Sequence, residues 1–373
     1  MDALMLPLNW QRVRLGDIGK PCMCKRVMKH QTTRYGEIPF YKIGTFGNTA
    51  DAFISKKLFL EYKTKYSFPK KGDILISASG TIGRAVIYDG KPAYFQDSNI
   101  VWIDNDETLV KNDFLFYAYS NVKWNTEHTT ILRLYNDNFR NTLIPLPPLN
   151  EQIAIANVLS DVDRYLYTLD ALILKKESVK KALSFELLSQ RKRLKGFNQN
   201  WQRVRLGDIA NYLTSNLSIE QITQQGKIKV YDVNNFIGYT DTTFISDKPY
   251  ISIVKDGSVG RVRILPPKTN ILSTMGALIA NHRTTTEFLF YLLSNFDFKN
   301  FTSGSIIPHI YFKDYKEKTI FLPPLNEQIA IANILSALDN EIASLKNKKR
   351  QFENIKKALN HDLMSAKIRV LKK

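Results

Sequence analysis

Two stretches of the chain set hydrophobic residues at alternating steps of four and three. In the first, Ile155, Leu159, Val162, Leu166, Leu169 and Ile173 keep that step. In the second, Ile331, Leu335, Leu338, Ile342 and Leu345 keep it, and Phe352 and Leu359 carry it on at sevens. Lys, Glu, Asp and Asn fill the places between. Such spacing draws one apolar seam along an α-helix. Neither stretch is interrupted by Gly or Pro until Gly196, and the second not at all. The pattern predicts helices over about 150–190 and 326–366, each about 60 Å long at 1.5 Å per residue. A Pro-Pro pair precedes each, and Asn150 and Asn326 suit the N-cap position, with an acidic residue following.

A helix of that length outruns a domain of 100 residues, whose radius of gyration is about 13 Å. Much of the seam would lie in water without a second helix, and the other copy is the natural partner. The first helix leaves one globular part and arrives at the next, so a pairing along the length has to be antiparallel. The expected fold is α+β: two α/β domains joined by two long antiparallel helices, a coiled coil in a pseudo-twofold arrangement. The globular parts show β-branched and aromatic runs broken by Gly, Asn and Asp, such as "GDILISASGTIGRAVIYD" at 72–89 and "YISIVKDGSVGRVRIL" at 250–265. "DFLFYAYSNV" and "EFLFYLLSNF" read as equivalent short helices.

Those matches belong to a duplication. "LPPLNEQIAIAN" occurs at 146–157 and again, unchanged, at 322–333; "NWQRVRLGDI" occurs at 9–18 and 200–209. The first copy carries about 15 more residues between these anchors, because the starts of the two motifs lie 191 and 176 positions apart. Gly80-Thr81-Ile82-Gly83-Arg84 resembles Gly257-Ser258-Val259-Gly260-Arg261, 177 positions on, so most of the extra length falls between Ile18 and Gly80. Repetition at this period has to be read before any fold assignment. It divides the chain into 1–145, a first globular domain; 146–195, a central repeat with its helix; 196–321, a second domain; and 322–373, a distal repeat with its helix.

Composition changes the picture through charge. Against 35 Asp and Glu stand 53 Lys and Arg, a formal net charge of +18. A surplus of that size points to a polyanion, held through phosphate neutralisation and counterion release. Segments such as "KRVMKHQTTRYG" (25–36) mix the basic residues with Tyr, His, Gln and Thr, which can also reach base edges. With no apolar run near the roughly 20 residues of a membrane helix, no membrane partner is expected. "MDALMLPLNW" does not read as a signal peptide, and a cytoplasmic location is expected.

Catalytic chemistry is hard to find. There is no GxxxxGK[ST] phosphate loop, no HExxH, no Asn/Asp-Pro-Pro-aromatic stretch, and the five histidines form no spaced set. Cys22 and Cys24 lack the partners of a metal site and read as reduced thiols. Asp51 with Glu61-Tyr62-Lys63 imitates a nuclease metal motif only loosely. The expectation is no catalytic residue, no metal and no cofactor. Contact with DNA is assigned to polar and basic positions: Lys25, Arg26, Arg34, Tyr35, Ser79, Thr81, Arg84 and Arg133 in the first domain. The second contributes Ser258, Arg261, His309 and Lys313. The Gly-[ST]-x-Gly-Arg segments fit either phosphate-binding turns or tight hairpins.

The order of parts resembles the specificity subunit of type I restriction–modification systems. It carries Trp10 with Leu15-Gly16-Asp17-Ile18, a variable α/β region with the Gly-Arg turn, and Leu-Pro-Pro-Leu-Asn-Glu-Gln before a long helix. All of it recurs with Trp201 and Leu206-Gly207-Asp208-Ile209. The resemblance spans essentially the whole chain. It implies a non-catalytic chain whose two target-recognition domains each bind one half of a split double-stranded DNA sequence, with the helices setting the gap. It also implies that methyltransferase subunits, two of them, dock on the repeats to methylate adenine, and that restriction/translocase subunits join for cleavage. A stand-alone DNA-modifying enzyme with an unrecognised site is the alternative, and an adaptor that binds no DNA is a weaker one.

Overall fold

The computed structural model describes residues 7–128 and 132–371. It divides into two compact units, Met1–Leu169 with Lys348–Lys373, and Asp170–Asn347.

In the first unit a four-stranded antiparallel sheet takes the order Gly19–Met23, Ile100–Asn105, Ile74–Ser77, Ala85–Ile87. Its two central strands are nearly all buried, because both faces are covered. Alternation sends Ile74, Ile76, Val101 and Ile103 to one core, beside Phe114, Leu115 and Ala118 of the helix Asn112–Tyr119. Leu75, Ile100 and Trp102 go to the other, with Phe40, Phe46 and Tyr94. A three-stranded sheet, Ala52–Ile54, Ile38–Tyr41 and Tyr94–Phe95, supplies that second core. The second unit repeats the topology with Ala210–Thr214, Met275–Ala280, Tyr250–Val254 and Val262–Leu265, then Phe236–Thr240, Ile228–Tyr231 and Thr269–Ile271.

The extra length of the first unit has a definite place. Ten residues, 42–51, link Ile38–Tyr41 to Ala52–Ile54, where the second unit uses 232–235. The helix Lys56–Lys65, capped by the Ser55 hydroxyl accepting from the Leu58 amide at 3.2 Å, has no counterpart among the described residues of the second unit.

The repeated motifs meet each other. Gln11–Arg14 pairs antiparallel with Leu143–Leu146, and Gln202–Arg205 with Thr319–Leu322, just before the long helices start. Those helices span Leu149–Leu188 and Leu325–Met364, 40 residues each. Each starts one residue earlier than expected, and the asparagine is not the cap. The Pro148 carbonyl accepts from the amides of Glu151 (2.9 Å) and Gln152 (3.0 Å), so proline closes the first turn and Asn150 lies inside it.

Within the first unit the start of the first long helix runs antiparallel to the end of the second. Lys356 pairs with Asp163, and four residues earlier Phe352 lies 4.6 Å from the Tyr165 ring. Within the second unit Lys180 pairs with Asp339, and Lys176 with Glu341 at 2.8 Å. Lys180–Asp339 and Asp163–Lys356 are the same contact with the roles of the two repeats exchanged. Of the expected seam, Ile155, Leu159, Leu169, Ile173, Ile331, Leu335 and Ile342 are buried. Val162, Leu166, Leu338, Leu345, Phe352 and Leu359 are half-buried. Ile155 and Leu159 belong to the core of the first unit, together with Leu363 and Met364, and Ile331 and Leu335 to that of the second with Leu187. The first turns of each helix are thus part of a globular core.

Candidate nucleic-acid interface

The Gly-[ST]-x-Gly-Arg segments are hairpin turns. The first joins the antiparallel strands Ile74–Ser77 and Ala85–Ile87, and the amide of Gly83 donates to the Ser77 carbonyl at 2.9 Å. The second glycine of each turn is dictated twice over. Gly83 and Gly260 take φ of +82° and +79°. A Cβ on Gly83 would fall 2.0 Å from Trp124 Nε1, and one on Gly260 would fall 2.6 Å from Phe298. The first glycines, Gly80 and Gly257, face open space.

Just ahead of each turn an isolated antiparallel bridge ties it to a short strand: Ser79 with Arg133 in the first unit, Asp256 with His309 in the second. The backbone frame is the same; the side chains are not. In the first unit the bridge borders a cleft of ≈ 510 Å³, lined by Arg26, Lys29, Lys42 and Arg133 alongside Gln96, Asp97, Ser98 and Asn99. Ser98 holds φ of +59°, an uncommon conformation for a residue with a side chain. The matching loop of the second unit is Leu272-Ser273-Thr274, and its bridge carries a side-chain hydrogen bond between Asp256 Oδ1 and His309 Nδ1 at 2.6 Å.

The structure gathers some of the expected contact residues and separates others. Arg26 and Arg133 line one cleft. Thr81 and Arg84 are exposed on the adjoining turn, and Arg84 approaches the Gly47 carbonyl and Asn48 at 3.5 Å. Ser79 does not reach the surface. It is 5% exposed, and its hydroxyl donates to Asn99 Oδ1 at 2.7 Å. Burial of the strand end beneath the bridge turns it into a support for Asn99. Lys25 packs 5.0 Å over the Tyr66 ring, while Arg34 and Tyr35 sit exposed on the loop before Ile38–Tyr41. In the second unit Ser258 and Arg261 are exposed on the turn, and Arg261 donates to Asn234 at 2.8 Å. Lys313 lies 5.5 Å over the ring of Tyr311, which stacks with His309.

Several residues here carry no signal in the sequence. Gln96, Asp97 and Asn99 show neither periodicity nor basic charge. Asp256 is an acid where a basic surface is expected. Lys56, Lys57, Lys63 and Lys65 are exposed on the helix confined to the first unit. The Glu-Gln of each repeat is visible as a repetition, but its role is not. Glu151 accepts from Trp10 Nε1 at 3.0 Å and pairs with Arg369, while Gln152 caps the Lys111 amide at 2.8 Å and donates to the Leu109 and Pro147 carbonyls. Glu327 and Gln328 do the same with Trp201, Arg193, Thr285, Arg283 and Pro323. All four side chains are buried.

Both cysteines are free thiols, and burial pushes that of Cys24 up to about 12, leaving it protonated and unreactive at neutral pH. Among the described residues no group of three or more His, Cys, Asp or Glu could hold a metal, and no helix is long and apolar enough to cross a membrane.

Known proteins place this geometry. The chain matches the type I restriction modification DNA specificity domain over residues 7–177 and 198–354. It is 63% identical over 148 residues to a putative type I restriction enzyme specificity subunit of Haemophilus influenzae, a match spanning 39% of this chain and 38% of that one. It is 26% identical to the type I restriction enzyme MjaVIII specificity subunit of Methanocaldococcus jannaschii over 99% of this chain and 95% of that one. The putative MjaX specificity subunit of the same organism is 30% identical over 80% of this chain and 79% of its own. Among solved structures, the specificity subunit of a type I system from M. genitalium superposes with a TM-score of 0.64 at 20% identity, covering 97% of this chain and 98% of that one. The chain belongs to the type I restriction–modification DNA specificity family, whose members are the non-catalytic, sequence-recognising subunits of these systems.

Proposed function

We propose that each globular part, 1–145 and 196–321, reads one half of a bipartite double-stranded target through its hairpin turn and the side chains around the bridge. The observation that carries this is one backbone frame used twice with different chemistry at equivalent positions. Ser79 and Arg133 stand where Asp256 and His309 stand, and Gln96 to Asn99 where Leu272 to Thr274 stand. Two unlike readers on one frame suit a target with two unlike halves. Arg26, Arg84 and Arg133, with Arg261 and Lys313, supply phosphate and base contacts; Lys25, Arg34, Tyr35, Thr81 and Ser258 are positioning contacts.

The repeats have the opposite character. Leu149, Ile153, Leu325 and Ile329 are 40%, 46%, 45% and 49% exposed on the first turns of the two helices, in segments without a single difference. Internal packing does not require an exposed isoleucine twice. Docking of one partner species, two copies in one pose, does. The partner is the adenine methyltransferase subunit, with restriction/translocase subunits joining the assembly in the cytoplasm.

The test is mapping of adenine methylation in a cell supplied with this chain and its methyltransferase partner. The expected result is one split word with a fixed gap, and no methylation from this chain alone. A continuous word, or methylation by the isolated chain, overturns the reading in favour of a stand-alone modifying enzyme.

A further inference from the structure

We infer that Asp256, oriented by His309, selects a cytosine in the half-target held by the second unit, accepting a hydrogen bond from its exocyclic N4 amino group. The inference rests on the proposed reading of DNA by that unit.

A carboxylate is out of place here unless it has work to do. The Lys255 ammonium lies 4.0 Å from it, Lys313 stands over the Tyr311 ring that stacks with His309, and Arg261 ends the same turn, in a chain of net charge +18. Opposite phosphates an acid costs binding free energy, so a fixed acid amid such a surface weakens non-specific contact. It is also held rather than loose. Asp256 bonds His309 Nδ1 at 2.6 Å through Oδ1, and the bridge between the two backbones fixes both. Oδ2 has the Lys255 ammonium near it at 4.0 Å, too far for a hydrogen bond, so it keeps an acceptor position, and the side chain is 28% exposed. His309 is buttressed in turn by the stacked Tyr311 ring.

What an oriented carboxylate oxygen can accept from is narrow. In the major groove guanine shows two acceptors and thymine an acceptor and a methyl group, so both repel it. Adenine offers its amino group next to the N7 acceptor, which suits an amide better. Cytosine alone presents a donor with no competing acceptor on its own edge. The equivalent position of the first unit holds Ser79, buried and turned to Asn99, so the two units cannot share this contact. The specificity is confined to one half of the target.

The experiment uses the full chain assembled with its methyltransferase partner and a pool of randomised duplex DNA, sequencing what is bound. The unaltered complex should select a split word containing a cytosine in one half, favoured about tenfold or more over other bases. Asp256→Ala should reduce that preference to about twofold or less, and Asp256→Asn should move it toward adenine, the base an amide matches. The other half-word should stay unchanged in both variants, which also shows that they fold and assemble. An unchanged word with both variants overturns the inference while leaving the reading of DNA intact. Selection of no word by the unaltered complex overturns both.

Discussion

Glu151 is 2% exposed, and its charge is tolerated only because Arg369 meets it, with Nη2 2.7 Å from Oε2, and the Trp10 indole donates at 3.0 Å. Removing one partner of a buried pair leaves an uncompensated charge, which typically costs about 3–5 kcal/mol. Arg369→Ala should therefore destabilise the first unit by about that amount in urea unfolding, and Arg193→Ala should do the same to the second unit through Glu327. A cost below about 1 kcal/mol would show the pair to be peripheral. The two turn glycines separate strain from space. Gly80→Ala meets only the left-handed backbone and should cost about 1 kcal/mol. Gly83→Ala also drives a methyl into Trp124 and should cost about 3 kcal/mol or more. Thermal melts of the two variants check the order. The need for glycine was legible in the repeated turn; the indole that enforces it lies 41 positions away and was not.

At the scale of elements, the seam and the basic helix make separate demands. Leu169 is 4% exposed within the first long helix, so a carboxylate there would be buried at a place shaped for an apolar side chain. Leu169→Asp should cost several kcal/mol and loosen the helix pairing, measured as reduced stability and impaired assembly with partner subunits. Unchanged stability and assembly would show that the seam carries no packing. The helix Lys56–Lys65 belongs to one unit only, so its lysines should weight phosphate binding toward one half of the target. Lys56→Gln with Lys57→Gln should lower the salt slope of DNA binding by about 0.9 for each phosphate no longer neutralised, without altering the word. A change of word with an unchanged slope would assign these lysines to base reading. Helix existence and extent followed from the heptad step. The cap did not, because a proline carbonyl closed a turn that an asparagine was expected to close.

At the scale of the whole molecule, a net charge of +18 makes binding an ionic matter. Affinity for DNA should fall by about a thousandfold or more between about 50 and 200 mM salt if six or so phosphates are neutralised. A flat dependence would remove the phosphate contacts from the account. Duplication adds a prediction about modularity. Exchanging residues 19–145 with 210–321 leaves the "LGDI" entry and the "LPPLNEQ" exit chemically the same at both junctions. The indole-to-glutamate bonds, Trp10 to Glu151 and Trp201 to Glu327, lie outside the exchanged segments, and each entry strand meets the equivalent exit strand of the other unit. The chimera should fold, bind partners and methylate a word with its halves in exchanged order and its gap unaltered. An unexchanged order, seen by methylation mapping, would refute the division into readers and scaffold.

What the sequence determined alone is whatever depends on spacing and repetition: two long helices, their antiparallel sense, a duplicated α/β frame and a recogniser's charge. Period and chain order are one-dimensional properties, and the hydrophobic effect acts on them directly. Tertiary structure decided which side chains share a surface. Ser79 left the surface because a bridge buried its strand end, and Asp256 joined it because the equivalent bridge of the second unit delivered His309, 53 positions on. Glu151 became a buried anchor because Arg369, 218 positions away, neutralises it. Long-range pairing sets burial, burial sets which charges survive, and no local pattern in a chain records a partner so far along it.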